Sequence, residues 1–475
     1  MSSVAIGRRQ FLRMLALATG AGAATALSSC VPSAKPTATA SPQETTSVST
    51  AVPSSTKAKI VWYNNADSVR NPWEESVVKA FEAKEPDIKI ELMIVPWDEF
   101  EPKMAALVAS GQPPDVWSEW GSSGFMDYYH RDMLFDITEF AKRDEAELQL
   151  DQYDPKLIDL FRVEGKLYGI PMFNLHNELF YNKKLFDEAG IPYPTPNWED
   201  KSWNFDKMLD LALALTKNDP DPTKAVWGLE YDGYLQHGAA PWPWGKDFFG
   251  PNYGEEAYRT GIAKEAKVKD PDIIASLQYQ ADLRHKYKVH PTQAAYQALS
   301  ALGGAFASGK LAMTFNGGWM WWVNKPIKDF EWGVAAGPWG PISHRNVMYT
   351  DPWFIAKKTA DPEKTWKFVK YTLSDEALAG LISSVGCTPA KKTMMETFIK
   401  CYPNMKREDI IQVVEGGVKD GQESPNHRLL GYDQIHKTLV ADLEKLWLGE
   451  ATAEQIAPGL EERLNQAIKS AVATK

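Results

Sequence analysis

Tryptophan residues at the ends of predicted strands are the first candidates for chemistry in this sequence. Residues 306–322 read FASGKLAMTFNGGWMWW, in which residues 311–315 form the apolar run of a short buried strand. The Asn-Gly-Gly turn that follows allows a close backbone approach, and Trp319 comes directly after it. A tryptophan ring offers a flat apolar face and one N–H donor, so we expect Trp319 to stack against a ligand. Trp321 and Trp322 are expected to pack in the core.

More aromatic residues leave the strands of a predicted α/β segment. Strands over residues 60–63, 88–95 and 115–117 alternate with helices that begin near Asn71 and Asp98. Strands joined by helices lie parallel, and ligands of such sheets bind beyond the carboxyl ends of the strands. Burial under the helices is the competing interpretation for each residue. The candidate ligand contacts at these ends are Trp62, Tyr63, Asn64, Trp97, Glu119 and Trp120.

Three later segments add further candidates. Residues 168–172 and 178–181 predict two short strands with Asn174 and His176 between them, and Asn174 is favoured because a lone histidine is usually structural. A long loop rich in glycine, proline and aromatic residues follows the strand at residues 227–230, and loops of this kind often carry function. Packing against a hydrophobic edge is the alternative for its tryptophans. The candidates in this loop and in residues 348–355 are Tyr234, Trp242, Trp244, Asp351 and Trp353.

The N-terminal residues predict export and anchoring rather than part of the fold. Residues 1–29 combine Arg8 and Arg9 with a short apolar run, as in an export signal, by either the twin-arginine or the general route. Cys30 follows Leu-Ser-Ser as the lipidated cysteine of a lipoprotein does. Residues 30–57 are then a disordered Ser/Thr/Pro tether. We expect a protein held by lipid at the outer face of the cytoplasmic membrane, or in the periplasm.

Composition excludes several classes of partner. The formal net charge of −10 over 475 residues argues against binding nucleic acid or an anionic bilayer surface. The 18 tryptophans equal the tyrosines in number, which is unusual and raises the question of what stacks on them. Outside the reducing cytosol, a disulfide between Cys387 and Cys401 is favoured over two free thiols. No CxxC or Cys/His cluster predicts a metal site, and no cofactor is expected.

Four motifs together resemble the family 1 extracellular solute-binding proteins of ABC importers, the sugar-binding group that includes maltose-binding protein. They are GKLYGIP followed by YNKKLFDEAGI, FASGKLAMTFNGGW, TWKFVKYTLSDEAL, and PWDEF with ASGQPPDVW. The likeness extends from about Lys59 to the C-terminus. It implies a periplasmic-binding-protein-like α/β fold of two lobes with mostly parallel sheets, each built from non-contiguous segments and joined by a hinge.

The resemblance also implies where the lobes and their ligand lie. The first lobe would comprise residues 58–172 and 350–388, and the second lobe residues 173–349 and 389–475. The hinge would cross near residues 172–175 and 348–353. A sugar, specifically an oligosaccharide, would lie in an aromatic-lined cleft and be delivered to the membrane permease subunits after hinge closure. The family's proteins are binding proteins rather than enzymes, and a monomer is expected.

Two other functions use the same residue types. An exported carbohydrate-active enzyme, such as a glycosidase, could take its acid and nucleophile from Asp98, Glu119, Asp127 and Asp351. A binding protein for a cationic solute could surround that solute with aromatic rings and acids. The sequence contains no G-x-S-x-G, H-E-x-x-H, P-loop or G-x-G-x-x-G motif, which argues against serine, zinc and nucleotide chemistry.

Overall fold

The computed structural model describes residues 58–231 and 237–473. The export signal, the lipidated Cys30, the tether and the candidate Tyr234 lie outside these ranges. The twelve described strands are β1 Ala58–Asn65, β2 Ile88–Val95, β3 Val116–Trp117, β4 Arg162–Val163, β5 Lys166–Leu167, β6 Pro171–Asn182, β7 Trp227–Tyr231, β8 Leu311–Gly317, β9 Trp332–Ala335, β10 Asn346–Pro352, β11 Phe354–Ile355 and β12 Gly421–Glu423.

The described residues also form nineteen α-helices. The described α-helices are α1 Asn71–Lys84, α2 Phe100–Ala109, α3 Phe125–His130, α4 Thr138–Arg143, α5 Glu145–Leu148, α6 Pro155–Asp159, α7 Lys183–Ala189, α8 Phe205–Leu215, α9 Pro251–Thr260, α10 Pro271–His285, α11 Gln293–Ser300, α12 Met320–Asn324, α13 Pro362–Thr372, α14 Asp375–Val385, α15 Met395–Ile399, α16 Arg407–Asp420, α17 Pro425–Arg428, α18 Tyr432–Trp447 and α19 Ala453–Ala473. Short 3₁₀ helices occupy Trp97–Glu99, Leu150–Gln152, Trp242–Trp244 and Lys392–Met394.

The first sheet has four strands in the order β11-β3-β1-β2. β1 pairs in parallel with β2 along its whole length, from Ala58 opposite Ile88 to Asn65 opposite Val95, and in parallel with β3 on its other side. This confirms the parallel strands predicted from the strand–helix alternation. The fourth strand, β11, pairs antiparallel with β3 and comes from a much later part of the chain.

The second sheet is mixed and has the order β12-β10-β6-β8-β7, with β9 also on β6. β6 runs antiparallel to β8, β9 and β10, while β7 with β8 and β10 with β12 are parallel pairs. The α/β class is as predicted, but mostly parallel pairing holds only for the first sheet. The reason is that β6 leads into the second sheet and β10 leads back out, so these neighbours have opposite directions.

Strand β6 differs from the prediction of two short strands. It is one strand of twelve residues in which every residue is buried, and Asn174 and His176 lie within it rather than in a loop. The helices predicted to begin near Asn71 and Asp98 are both present. α1 begins at Asn71, and Asp98 lies in the 3₁₀ helix Trp97–Glu99 directly before α2. Asp361 caps α13 by accepting a hydrogen bond from the Lys364 N–H at 3.1 Å.

The described residues form two apolar cores. The larger core includes Phe81, Ile90 and Phe368 around the first sheet and extends to Phe180 and Val334 in the second. The smaller core includes Leu179, Met208 and Leu229 and belongs to the second sheet. Among the described helices, none combines the length and apolar character needed to cross a bilayer.

Candidate ligand-binding site

A cluster of tryptophan rings lies at the carboxyl ends of the strands of the first sheet. The rings of Trp62 and Trp353 meet edge to face with centroids 5.0 Å apart, and Trp353 meets Trp120 at 6.3 Å. Trp62 is fully buried and also contacts Trp73 and Phe368. Trp62 is therefore part of the core between the first sheet and its helices, whereas the ring of Trp120 is partly exposed to solvent.

Polar groups hold Trp120 in place. Its indole N–H donates to Asn64 Oδ1 at 3.0 Å, and the Arg70 guanidinium lies over its ring, 4.0 Å from the centroid. Arg70 is itself buried and bonded to Glu74 at 2.7 Å, which fixes the guanidinium above the ring. The ring of Phe173, in β6, lies 6.1 Å from Trp120. Trp120 thus lies between the end of β3 in the first sheet and strand β6 of the second sheet.

Buried polar atoms without hydrogen-bond partners surround these rings. They include Trp62 Nε1, Trp353 Nε1 and Asn64 Nδ2. Buried polar groups in proteins are nearly always paired, and an unpaired one costs about 1–3 kcal/mol. Three such donors lie beside one aromatic cluster.

An acid–histidine cluster joins the two sheets beside the tryptophans. His427 in α17 donates from Nδ1 to Glu423 Oε1 at 2.7 Å, and the same nitrogen lies 3.5 Å from Glu119 Oε1. Glu119 follows the first sheet, whereas Glu423 ends β12 in the second. Thr350 in β10 donates its hydroxyl to the other oxygen of Glu423 at 2.7 Å. Asp351, the next residue, is also buried.

Burial and mutual charge shift the pKa values in this cluster. Desolvation raises the pKa of Glu119 to about 8, although the charge of His427 opposes the shift. Desolvation also raises the pKa of Asp351 to about 7. Burial alone would lower the pKa of His427, but Glu119 and the hydrogen bond to Glu423 outweigh it and raise the value to about 9. The cluster therefore retains protons that exposed carboxyl groups would lose.

Trp319 lies on the side of the second sheet. Its partly exposed ring has its centroid 5.7 Å from that of Tyr349, and the Tyr349 ring lies 5.3 Å from His427. The Tyr349 hydroxyl is 2.6 Å from His237 Nδ1 and accepts a hydrogen bond from the Ser424 hydroxyl at 3.1 Å. A continuous set of contacts therefore leads from Trp319 through Tyr349 to the acid–histidine cluster.

The family model for bacterial extracellular solute-binding proteins matches residues 66–379. This chain belongs to that family. Relatives include a putative binding protein of Brucella abortus, 24% identical over 68% of this chain and 73% of the relative. The diacetylchitobiose-binding protein of Streptomyces coelicolor is also 24% identical, over 70% of this chain and 73% of that protein. An ABC substrate-binding protein of Listeria monocytogenes, solved with cycloalternan, has a TM-score of 0.71 at 21% identity, over 87% of this chain and 99% of that one.

Several predicted site residues of this solute-binding protein lie away from the cluster. Tyr63 points into the core and donates its hydroxyl to the Phe100 carbonyl at 2.8 Å. Trp97, on the 3₁₀ helix after β2, is 52% exposed. Trp242 is fully buried and donates to Asp247 at 2.6 Å, and Trp244 packs on Phe205. Neighbouring side chains of a strand point to opposite faces, so Tyr63 points away from Trp62. Trp97, Trp242 and Trp244 lie in short 3₁₀ helices, which the residue types do not reveal.

Asn174 and the two cysteines require separate comment. Asn174 is fully buried in β6, where both polar atoms of its side chain lack a hydrogen-bond partner. The predicted disulfide is absent, because Cys387 and Cys401 are both free. Cys401 Sγ instead lies 3.4 Å from the Ile382 carbonyl oxygen and 3.5 Å from that of Thr397. The thiol is therefore directed toward carbonyl groups of neighbouring helices.

Four residues of the cluster were not predicted from sequence: Arg70, Tyr349, Glu423 and His427. Glu423 and His427 stand four positions apart across a Ser-Pro helix start, which is a spacing that places two side chains together. Neither residue lies near Glu119 in the sequence, so only the tertiary fold brings the three together.

Proposed function

We propose that this solute-binding protein captures a neutral carbohydrate, specifically an oligosaccharide, beside the rings of Trp120, Trp353 and Trp319. The observation that carries the proposal is the set of unpaired buried donors on Trp62, Trp353 and Asn64 within an aromatic cluster. Sugars present C–H faces that pack on aromatic rings and hydroxyl groups that accept such donors. The two features together match a sugar better than a purely apolar or a purely charged ligand.

The ligands of similar proteins support an oligosaccharide. The Streptomyces coelicolor relative is a diacetylchitobiose-binding protein, and the Listeria monocytogenes protein was solved with cycloalternan. Both names specify a sugar of more than one unit. The remaining candidate contacts, Tyr63, Trp97, Glu119, Asn174, Tyr234, Trp242, Trp244 and Asp351, stay predictions, and Trp120 and Trp319 carry the most weight because their rings are partly exposed.

Hinge closure is part of the proposal. The two lobes would comprise residues 58–172 with 350–388 and residues 173–349 with 389–475. The proposed crossings lie side by side in β6 and β10, where Leu175 pairs with Tyr349 and Asn174 with Thr350. A pair of adjacent extended crossings allows one lobe to rotate on the other while backbone hydrogen bonds persist. Ligand contacts with Trp120 on one lobe and Trp319 on the other would favour the closed form.

Delivery to a membrane permease completes the proposed role. The protein would act as a monomer, held at the outer face of the cytoplasmic membrane or in the periplasm by lipid on Cys30. The predicted tether over residues 31–57 would let the folded part reach the permease. This arrangement confines a captured sugar to the membrane surface, where the importer operates.

Calorimetric titration with diacetylchitobiose, maltotriose and cycloalternan tests the proposal. We expect saturable binding of at least one neutral sugar, and Trp120→Ala should weaken it by about tenfold or more, equivalent to roughly 1.4 kcal/mol. The matched control is Trp447→Ala, which removes a partly exposed tryptophan at the C-terminal end of α18, outside the candidate contacts, and should leave the affinity unchanged. Spermidine binding without sugar binding would instead identify a cationic solute. Release of smaller sugars from the titrated ligand would identify a glycosidase.

A further inference from the structure

Glu119, Glu423 and His427 bring three metal-ligating atoms together in the interior. One carboxylate oxygen from each glutamate and one ring nitrogen of the histidine all lie within 4.8 Å of one another, and all three residues are buried. They come from three separate elements: the segment after β3, the end of β12, and α17. Residue types and distances of this kind suit a cation held by one nitrogen and two oxygens.

Hydrogen bonds orient both carboxylates toward the histidine. Glu119 Oε2 accepts the Phe125 N–H at 2.7 Å, and Glu423 Oε2 accepts the Thr350 hydroxyl at 2.7 Å. Each glutamate thus has one oxygen bonded to the surrounding fold, while its Oε1 faces His427 Nδ1. Metal-binding carboxylates are commonly supported by such outer hydrogen bonds, which fix the direction of the free oxygen.

An unpaired buried oxygen indicates that the cluster is incomplete by itself. Glu119 Oε1 has no hydrogen-bond partner although Glu119 is only 3% exposed. His427 Nδ1 has one proton to donate and directs it to Glu423, so it leaves Glu119 Oε1 without a donor. A cation between the three atoms would bind that oxygen.

The distances require only a small rearrangement. Ligand atoms of a tetrahedral zinc site, each about 2.1 Å from the metal, are about 3.4 Å apart. The separation of 3.5 Å between Glu119 Oε1 and His427 Nδ1 already fits this geometry. The hydrogen bond of 2.7 Å between Glu423 and His427 would have to lengthen as the imidazole proton leaves. Gly124 permits the close packing, because a Cβ there would lie 2.6 Å from Glu119 Oε2 and 2.5 Å from His427 Cα.

Other buried charged residues lie near the three ligands. Asp351, which follows Thr350 in the chain, adds a third buried carboxyl group. Arg428 is the nearby buried guanidinium, but it donates to the carbonyl oxygens of Tyr258 and Leu160 at 3.1 and 2.6 Å. Arg428 therefore does not compete with a cation for the two glutamates.

We propose that Glu119, Glu423 and His427 form a binding site for a divalent transition-metal cation, with Zn²⁺ as the best match. The site uses a histidine nitrogen, which hard cations such as Ca²⁺ do not favour. Three protein ligands leave a fourth position for water or for a hydroxyl group of a bound solute. In this proposal Glu119 binds the cation rather than the sugar. The proposal does not depend on which solute the protein carries.

Titration of Zn²⁺ into chelator-stripped, tag-free protein tests the site, with bound metal counted by mass spectrometry after dialysis. We expect one tightly bound Zn²⁺ per chain and an affinity for Ca²⁺ at least tenfold lower. Glu423→Gln should weaken Zn²⁺ binding by at least tenfold, and Glu376→Gln, which alters an exposed glutamate paired with Lys84, should not. Absence of stoichiometric Zn²⁺, equal affinity in Glu423→Gln, or tighter Ca²⁺ than Zn²⁺ would each overturn the proposal.

A second variant keeps the test valid if Glu423→Gln fails to fold. Thr350→Val is nearly isosteric and removes only the hydroxyl that holds Glu423 Oε2. Loss of such an outer hydrogen bond typically weakens metal affinity by about 10- to 100-fold. We expect that range for Thr350→Val in protein whose circular dichroism matches the wild type. An unchanged Zn²⁺ affinity would show that the cluster is only an ion pair between the sheets.

Discussion

Trp319 and Trp321 stand two positions apart, yet their surroundings give them different roles. Trp321 is fully buried, donates its indole N–H to Glu178 at 2.6 Å and packs on Phe398 at 4.9 Å. Trp319 is partly exposed and lies beside Tyr349. A short helix that starts at Met320 turns the two rings in different directions. At the scale of single residues, burial therefore separates the tryptophan that can meet a solute from the one that holds the fold.

Alanine substitution distinguishes the two tryptophans. Trp319→Ala should abolish the thermal shift produced by the bound sugar, which at about 100 times its dissociation constant is worth roughly 2.7 kcal/mol, and should change the ligand-free melting temperature little. Trp321→Ala should lower the ligand-free stability by about 3–5 kcal/mol, because it leaves a large cavity and an unpaired carboxyl group. Thermal denaturation with and without ligand measures both. A large ligand-free loss in Trp319→Ala would identify it as a core residue instead.

Glu178 provides a pH prediction. It is fully buried, and desolvation raises its pKa from 4.5 to about 8, against the hydrogen bond from Trp321. The folded state then binds a proton that the unfolded state loses above pH 4.5, so stability falls as pH rises through that window. In the wild type this lowers the free energy of unfolding by about 1.4 kcal/mol for each pH unit. Glu178→Gln should lack this decrease, so its free energy of unfolding should rise relative to that of the wild type between pH 6.5 and 8.

Urea unfolding at pH 6.5, 7 and 8 measures this effect. The range avoids His176, 3.9 Å from Glu178, whose pKa burial lowers to about 4. Glu331→Gln is the control, because Glu331 is exposed and only pairs with Lys183. If the difference between wild type and Glu178→Gln stays constant with pH, Glu178 is ionised in the folded protein.

At the scale of elements, β6 carries the largest departure from sequence prediction. Its polar residues Asn174 and His176 suggested a break between two short strands, the second of which began at Glu178, because buried strands of this length are usually apolar. The fold buries them between β10, β8 and helix α16, and several of their polar atoms lack partners. By contrast β2, a strand with an ordinary environment at Ile88–Val95, matches its prediction residue for residue. Local patterns predict elements with an ordinary environment and fail where tertiary contacts impose burial.

Helix α16 can approach β6 only because Gly417 has no side chain. A Cβ at this position would lie 2.3 Å from atoms of the buried His176 ring. Gly417→Ala should therefore destabilise the protein by about 1–3 kcal/mol through overpacking. Gly380→Ala in α14 is the matched control, since its nearest neighbour is 3.6 Å away and alanine favours helix by up to about 1 kcal/mol. Denaturant midpoints compare the two, and equal midpoints would show that α16 can shift outward.

At the scale of the whole molecule, the sequence motifs predicted the family and the α/β class, and the strand exits predicted part of the aromatic cluster. Trp62 and Trp120 both contact Trp353, because the parallel strands β1 and β3 run toward the same edge and the antiparallel strand β11 begins there. The approach of His427 to Glu119 could not be predicted, since it depends on how the C-terminal helices pack against the first sheet. Contacts between distant segments have no local signal in a single sequence.

The proposed closure of the two lobes about the hinge can be tested on the whole molecule. Addition of a bound sugar should reduce the radius of gyration measured by small-angle X-ray scattering, because ligand contacts favour the closed arrangement of the lobes. Trp319→Ala should show no reduction at the same sugar concentration, while Trp447→Ala, outside the candidate contacts, should behave as the wild type. A radius that does not change in wild-type protein saturated with sugar would contradict hinge closure.

The position of β11 affects how the chain reaches this structure. β11 pairs with β3 through Phe354 and Trp117, and the whole of the second sheet except β12 lies between them in the sequence. During synthesis the edge of the first sheet therefore stays unpaired until most of the chain has left the ribosome. Pairing of such distant segments is slow, so the N-terminal strands remain accessible to chaperones for much of translation. On the general export route, which carries unfolded chains, this topology would give the secretion machinery time to engage the chain before its first sheet is complete.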